Sequence, residues 1–86
     1  MSKYLPNTAI QKTSTATAIT GSCLLFGVQC ATGGTATIYD NTSAAGNIVA
    51  IGTPGDTIIF NNPVVCNNGI HVSMTGTSVI VYVTVS

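Results

Sequence analysis

The sequence predicts an all-β domain, a small antiparallel β-sandwich or barrel of about seven to eight short strands. Three observations carry that prediction. Val, Ile and Thr recur in short runs, several with the strict alternation of a half-buried strand. Gly, Pro, Asn and Ser clusters separate those runs at regular intervals, as turns between strands do. Nowhere does apolar spacing follow i, i+3, i+4 for more than a few residues, so a helix has no face to bury. An immunoglobulin-like and a jelly-roll-like arrangement both fit this pattern.

Residues 1–20 stand apart. Thr13, Ser14, Thr15, Ala16, Thr17 and Ala18 supply sheet propensity without a bulky side chain to bury. They predict an extended N-terminal arm or an edge strand ahead of a single sandwich domain over residues 21–86. Pro6 cannot donate to a ladder, whereas Tyr4, Leu5 and Ile10 can anchor an extended segment on another surface.

Gly21-Ser22 then breaks the pattern, and residues 23–31 read as a buried strand. Unbroken alternation puts Leu24, Phe26, Val28 and Cys30 on one face and Cys23 and Leu25 on the other. Gly27 marks a bulge or a close backbone approach. After the turn at Thr32-Gly33-Gly34, residues 35–40 set Ala36 and Ile38 against Thr37 and Tyr39, and a polar loop runs over residues 41–47. Residues 48–52 form the next strand. Thr53-Pro54-Gly55-Asp56 has Pro and Gly where a type II turn wants them, and residues 57–60 return as the partner of 48–52. Asn61-Asn62-Pro63 ends that strand, residues 64–66 give a brief one, and Asn67-Asn68-Gly69 turns the chain again.

The last stretch, residues 70–86, predicts a β-hairpin reversing at Thr75-Gly76-Thr77, where Gly supplies positive φ. On its second arm Val79, Val81, Val83 and Val85 share one face, and Ser78, Ile80, Tyr82 and Thr84 share the other. Apolar groups on both faces call for cover on both sides, by this domain or by a neighbouring molecule.

Composition narrows the function. Lys3, Lys12, Asp40 and Asp56 are the whole charged inventory of 86 residues, against roughly a quarter in ordinary domains. Two separated lysines cannot displace the counterions that nucleic-acid binding requires, so no nucleic-acid role is expected. No apolar run approaches the roughly 20 residues of a membrane span, and MSKYLPNTAI lacks the apolar core of a secretory signal, which predicts a protein that begins its life in a cytoplasm and makes no membrane contact. With net charge near zero, little repulsion keeps copies apart, and a homo-oligomer is expected, a trimer among its candidate forms.

The residues able to do chemistry are few. Cys23, Cys30, Cys66 and His71 add up to a Cys₃His set, but none shows the close pairing of zinc ligands. Three thiols leave at least one unpaired or bonded between molecules, and reduced cysteines packing as small apolar groups are the expected state. No motif pairs a thiol with a base and an orienting group. His71 falls on the polar side of its strand with Ser73 and Thr75. Asp40 and Asp56 sit in turn sequences, where carboxylates hydrogen-bond nearby backbone N–H groups. Gly33-Gly34 lacks the helix and Lys of a phosphate loop. No catalytic, cofactor-binding or metal site is expected, and the chain does not read as an enzyme.

Residues 35–85 resemble small all-β structural proteins of tailed bacteriophages. The resemblance rests on the strand-and-loop run TATIYDNTSAAG, the central Pro-Gly turn and the closing GIHVSMTGTSVIVYV. It implies a virion component and carries no functional residues across. Within that class a chain this short suits a capsid cement or decoration protein. Such a protein adheres between major capsid proteins and stabilises the head by multivalent attachment. Ile80 and Tyr82 on the outer face of the last strand, with Tyr4, Leu5 and Ile10 in the arm, are the expected contact residues. A head–tail or tail-fibre module is the alternative within the virion. A carbohydrate-binding β-sandwich using Tyr39 and Tyr82 as sugar platforms is the alternative of another class, weakened by the absence of Trp.

Overall fold

A computed structural model describes residues 8–85, the last of them by its backbone alone. Eight strands fill it: β1 (Thr8–Lys12), β2 (Ala16–Thr20), β3 (Cys23–Cys30), β4 (Thr35–Tyr39), β5 (Ile48–Gly52), β6 (Thr57–Cys66), β7 (Gly69–Thr75) and β8 (Val79–Val85). They form two four-stranded sheets, β1-β8-β3-β6 (the first sheet) and β2-β7-β4-β5 (the second), and every pairing is antiparallel. The pairs β1 with β8, β2 with β7, β3 with β6 and β4 with β5 are those of one long hairpin whose tip is the β4–β5 loop. That hairpin is rolled across itself, so that β8 also meets β3 and β7 also meets β4. This strand order is the jelly roll, one of the two arrangements that the sequence pattern allows.

The predicted hairpin over residues 70–86 does not form. β7 lies between β2 and β4 in the second sheet, and β8 lies between β1 and β3 in the first. The apolar sides of both strands decide this. Ile70 and Val72 of β7, and Val79, Val81 and Val83 of β8, are all fully buried, which requires them to meet across a shared interior from opposite layers. The link is an arch between sheets. Gly76 turns it with φ of +88°, and a Cβ there would lie 2.5 Å from the Cα of Gly34 in the neighbouring arch.

Pro54-Gly55 follows the same logic. Gly55 has φ of +72° and the Asp56 N–H donates to the Thr53 carbonyl at 3.1 Å, as a type II turn requires. The strands it joins nevertheless part company: β5 pairs with β4, and β6 pairs with β3. β4 and β5 alone are consecutive strands that pair with each other.

β3 departs from simple alternation. Its registers to both β6 and β8 shift between Leu25 and Gly27: against β8, Phe26 is an extra residue in β3, whereas against β6 the excess lies in β6, whose residues 60–63 stand opposite Phe26 alone. The bulge turns Cys23, Leu25, Val28 and Cys30 all inward, where unbroken alternation divides them between two faces. Opposite it, Thr57, Ile58 and Ile59 pair with Gln29, Val28 and Gly27, while Val64, Val65 and Cys66 pair with Leu25, Leu24 and Cys23. β6 is thus one strand where the sequence predicts two, and its ladder is interrupted at the predicted Asn61-Asn62-Pro63.

Residues 8–20 carry β1 and β2, one edge strand for each sheet. Ile10 pairs with Val81 and packs on the core, so its place among the expected contact residues is corrected to a core-facing one. Tyr4 and Leu5 lie outside the described residues.

Candidate interaction surface

The outer face of the first sheet is built by alternation from the buried Val79, Val81 and Val83, which turn Ile80 and Tyr82 outward, half-buried; Thr84 lies on the same side but is itself buried. Register then fixes their neighbours. Gln11, Ile80, Gln29 and Thr57 form one row; Ala9, Tyr82, Gly27 and Ile59 form the next; Thr84, Leu24 and Val65 form a third. Tyr82, Leu24, Ile59 and Val65 therefore make an apolar stripe across three strands. Ile59 is 63 % exposed and Val65 61 %. Gly27 makes room for Ile59, since a Cβ at that position would sit 2.8 Å from Ile59 Cδ1.

Polar groups on this face are tied to one another. Tyr82 donates its hydroxyl to Gln29 Oε1 at 2.7 Å, and Gln11 Nε2 donates to Ser78 Oγ at 2.9 Å. No charged residue occupies the three rows. Ile80 and Tyr82 stand where the sequence places them, outward and half-buried. Leu24, Ile59 and Val65 are contributors that sequence reasoning missed. Leu24 is assigned to a buried face unless the bulge is counted, and Ile59 and Val65 sit in what reads as two unrelated short strands. The one available signal is Gly27, which marks the irregularity.

The outer face of the second sheet is different in kind. Thr17, Thr35, Thr37, Ser73 and Thr75 line it with hydroxyls, beside His71 and Tyr39. Thr35 and Thr75 join their hydroxyls at 2.9 Å. The Thr17 hydroxyl donates to the Thr42 carbonyl at 2.8 Å, so its oxygen accepts from His71 Nδ1 at 3.1 Å, which assigns the imidazole proton to Nδ1. Tyr39 lies beside the same imidazole, its ring centroid 6.3 Å away and tilted by 53°. Ile48 and Ile51, both more than half exposed, bring apolar surface only at the β5 edge.

The other reactive groups serve the fold. Asp40 accepts from the backbone N–H groups of Asn68 at 2.9 Å and Asn67 at 3.3 Å, holding the β6–β7 link from 28 residues away. Asp56 accepts the Thr53 hydroxyl at 2.6 Å within its own turn. The three thiols are buried and unbonded. Burial pushes the Cys66 thiol up to about 12, with Cys23 and Asp40 adding to the rise. Burial raises Cys23 and Cys30 as well, aided by Asp40 and Asp56 respectively. These are neutral thiols, the opposite of an activated nucleophile. Among the described residues no three His, Cys, Asp or Glu side chains gather as a metal site would require. Comparison with known proteins yields no matching family model, no similar curated protein and no similar solved structure.

Proposed function

We propose that this chain is a non-enzymatic structural protein of a tailed-phage virion, a capsid cement or decoration protein, that adheres through the outer face of its first sheet. The observation that carries this reading is the uncharged stripe in which half-buried Tyr82 and Leu24 adjoin exposed Ile59 and Val65, on a sheet whose other face already fills the core. Such a sheet has an apolar stripe on its outer side as well, and covering that stripe with a partner removes apolar surface from water at roughly 25 cal/mol per Å². One copy gains little by this; many copies related by shell symmetry gain it many times over. The partners are the major capsid protein or other virion proteins, with self-association into a homo-oligomer on the same surface. Neither nucleic acid nor membrane enters.

Co-sedimentation with assembled shells tests it. Since no charge lines the stripe, attachment survives salt rising toward ~1 M, where interactions between exposed charges are screened within about 3 Å. Detachment over that range, or binding to a glycan array with no affinity for shells or tails, overturns the proposal. The glycan result would transfer the function to the hydroxyl-rich second face around Tyr39.

A further inference from the structure

The first sheet holds two cysteines of the core directly across one ladder from each other. Cys23 opens β3 and Cys66 closes β6, and the two are direct cross-strand partners. Both turn inward, at 2 % and 0 % exposure. Directly opposed residues of an antiparallel ladder have Cα atoms about 4.5 or 5.5 Å apart, and both spacings fall within the range a disulfide spans. Cys30 is excluded from this pairing. It sits at the far end of β3, roughly 20 Å along the strand, beside Gly52 of the second sheet.

We infer that Cys23 and Cys66 are a latent intramolecular disulfide, closed by a small peroxide oxidant, that clamps the edge strand β6 to β3. Where the end of β6 opens, the exposed thiol regains ordinary acidity and, as its thiolate, attacks hydrogen peroxide; a sulfenic acid forms and hydroxide leaves. The second thiol then attacks the sulfenic sulfur, the S–S bond forms and water leaves. In total two thiols lose two electrons and two protons, and one peroxide becomes two waters. Position decides who reacts: β6 is an outermost strand, so its end opens locally at less cost than a central strand, and Cys66 is its last residue. In a reducing cytoplasm the pair stays open, and outside the cell it closes. The inference is independent of capsid attachment, because it concerns a bond within one molecule.

The purified full-length chain, incubated with hydrogen peroxide under native conditions, supplies the test. Free-thiol titration falls from three to one, the intact mass drops by two hydrogens, and proteolytic mapping recovers one peptide pair joined through Cys23 and Cys66. The melting temperature rises by about 10 °C or more, and thiol reductant reverses it. Cys30→Ala leaves the bridge in place. Oxygen addition to separate thiols, a bridge that includes Cys30, a disulfide between molecules, or three thiols that stay reduced until the chain unfolds would each overturn it. The mapping result stands on the natural sequence, so a Cys66→Ala variant that folds poorly does not weaken the test.

Discussion

The two sheets have the same number of strands and face one interior, yet they differ inside and out. Eight of the twelve buried apolar residues come from β3, β6 and β8 of the first sheet, all three cysteines among them; the second sheet supplies Ala36, Ile38, Ile70 and Val72. Outside, the first sheet shows an apolar stripe and the second a field of hydroxyls around a fixed imidazole. The second sheet is an ordinary half-wet layer, apolar on one side and solvated on the other. The first adds an apolar stripe to an outer side that also carries Gln11, Gln29 and Thr57, and this is the side that we propose a partner covers.

The largest effect expected from this asymmetry lies in alkali. Among the described residues the buried ionisable groups, the three thiols, all line the first sheet, and the Cys66 thiol rises from an ordinary 9.0 to about 12 on folding. A raised thiol value stabilises the fold fully below pH 9, and that stability is lost as pH climbs through 12, because the unfolded chain gives up the proton more readily. The loss is on the order of a few kcal/mol, read as the fall in urea midpoint between those limits, and is reduced in Cys66→Ala, where Cys23 and Cys30 still contribute. Substitution of Ile59 by Asp comes next. It weakens shell co-sedimentation by ~100-fold while shifting stability by about 0.5 kcal/mol or less, whereas Ser73→Asp on the other face changes binding by ~2-fold at most. Equal losses at both positions would erase the distinction between the faces.

Smaller effects sharpen it. Tyr82→Phe removes the bond to Gln29 and costs about 1 kcal/mol in thermal unfolding, while shell binding persists because the ring remains. Thr17→Val costs about 0.5 kcal/mol and frees the His71 tautomer, seen as a change in imidazole nitrogen shifts by NMR.

Much of this was legible beforehand, and the rest failed for definable reasons. Alternation alone sorts Ala36 and Ile38 from Thr37 and Tyr39, and the valines of β8 from Ile80 and Tyr82, since period two survives wherever a strand is unbroken. Gly27 announces an irregularity but not its consequence, and one extra residue at Phe26 moves Cys23 and Leu25 to the same side as Val28 and Cys30. Turn chemistry at Pro54-Gly55 and Gly76 identifies a reversal; it does not say whether the chain returns within its layer or crosses to the other. A tight arch and a tight hairpin use the same residues, so strand order stays hidden in the local sequence. The stripe was hidden with it, because Leu24, Ile59 and Val65 become neighbours only through pairings over long separations.

The position of β8 sets the schedule of folding. It is the final strand in chain order, yet it occupies the middle of its sheet, with β1 and β3 waiting on either side and Val79, Val81 and Val83 filling the centre of the interior. Until β8 joins them, the earlier strands surround a gap. The first sheet therefore closes late and slowly, as in chains dominated by distant pairings. During that interval its sticky strands lie open to other nascent copies.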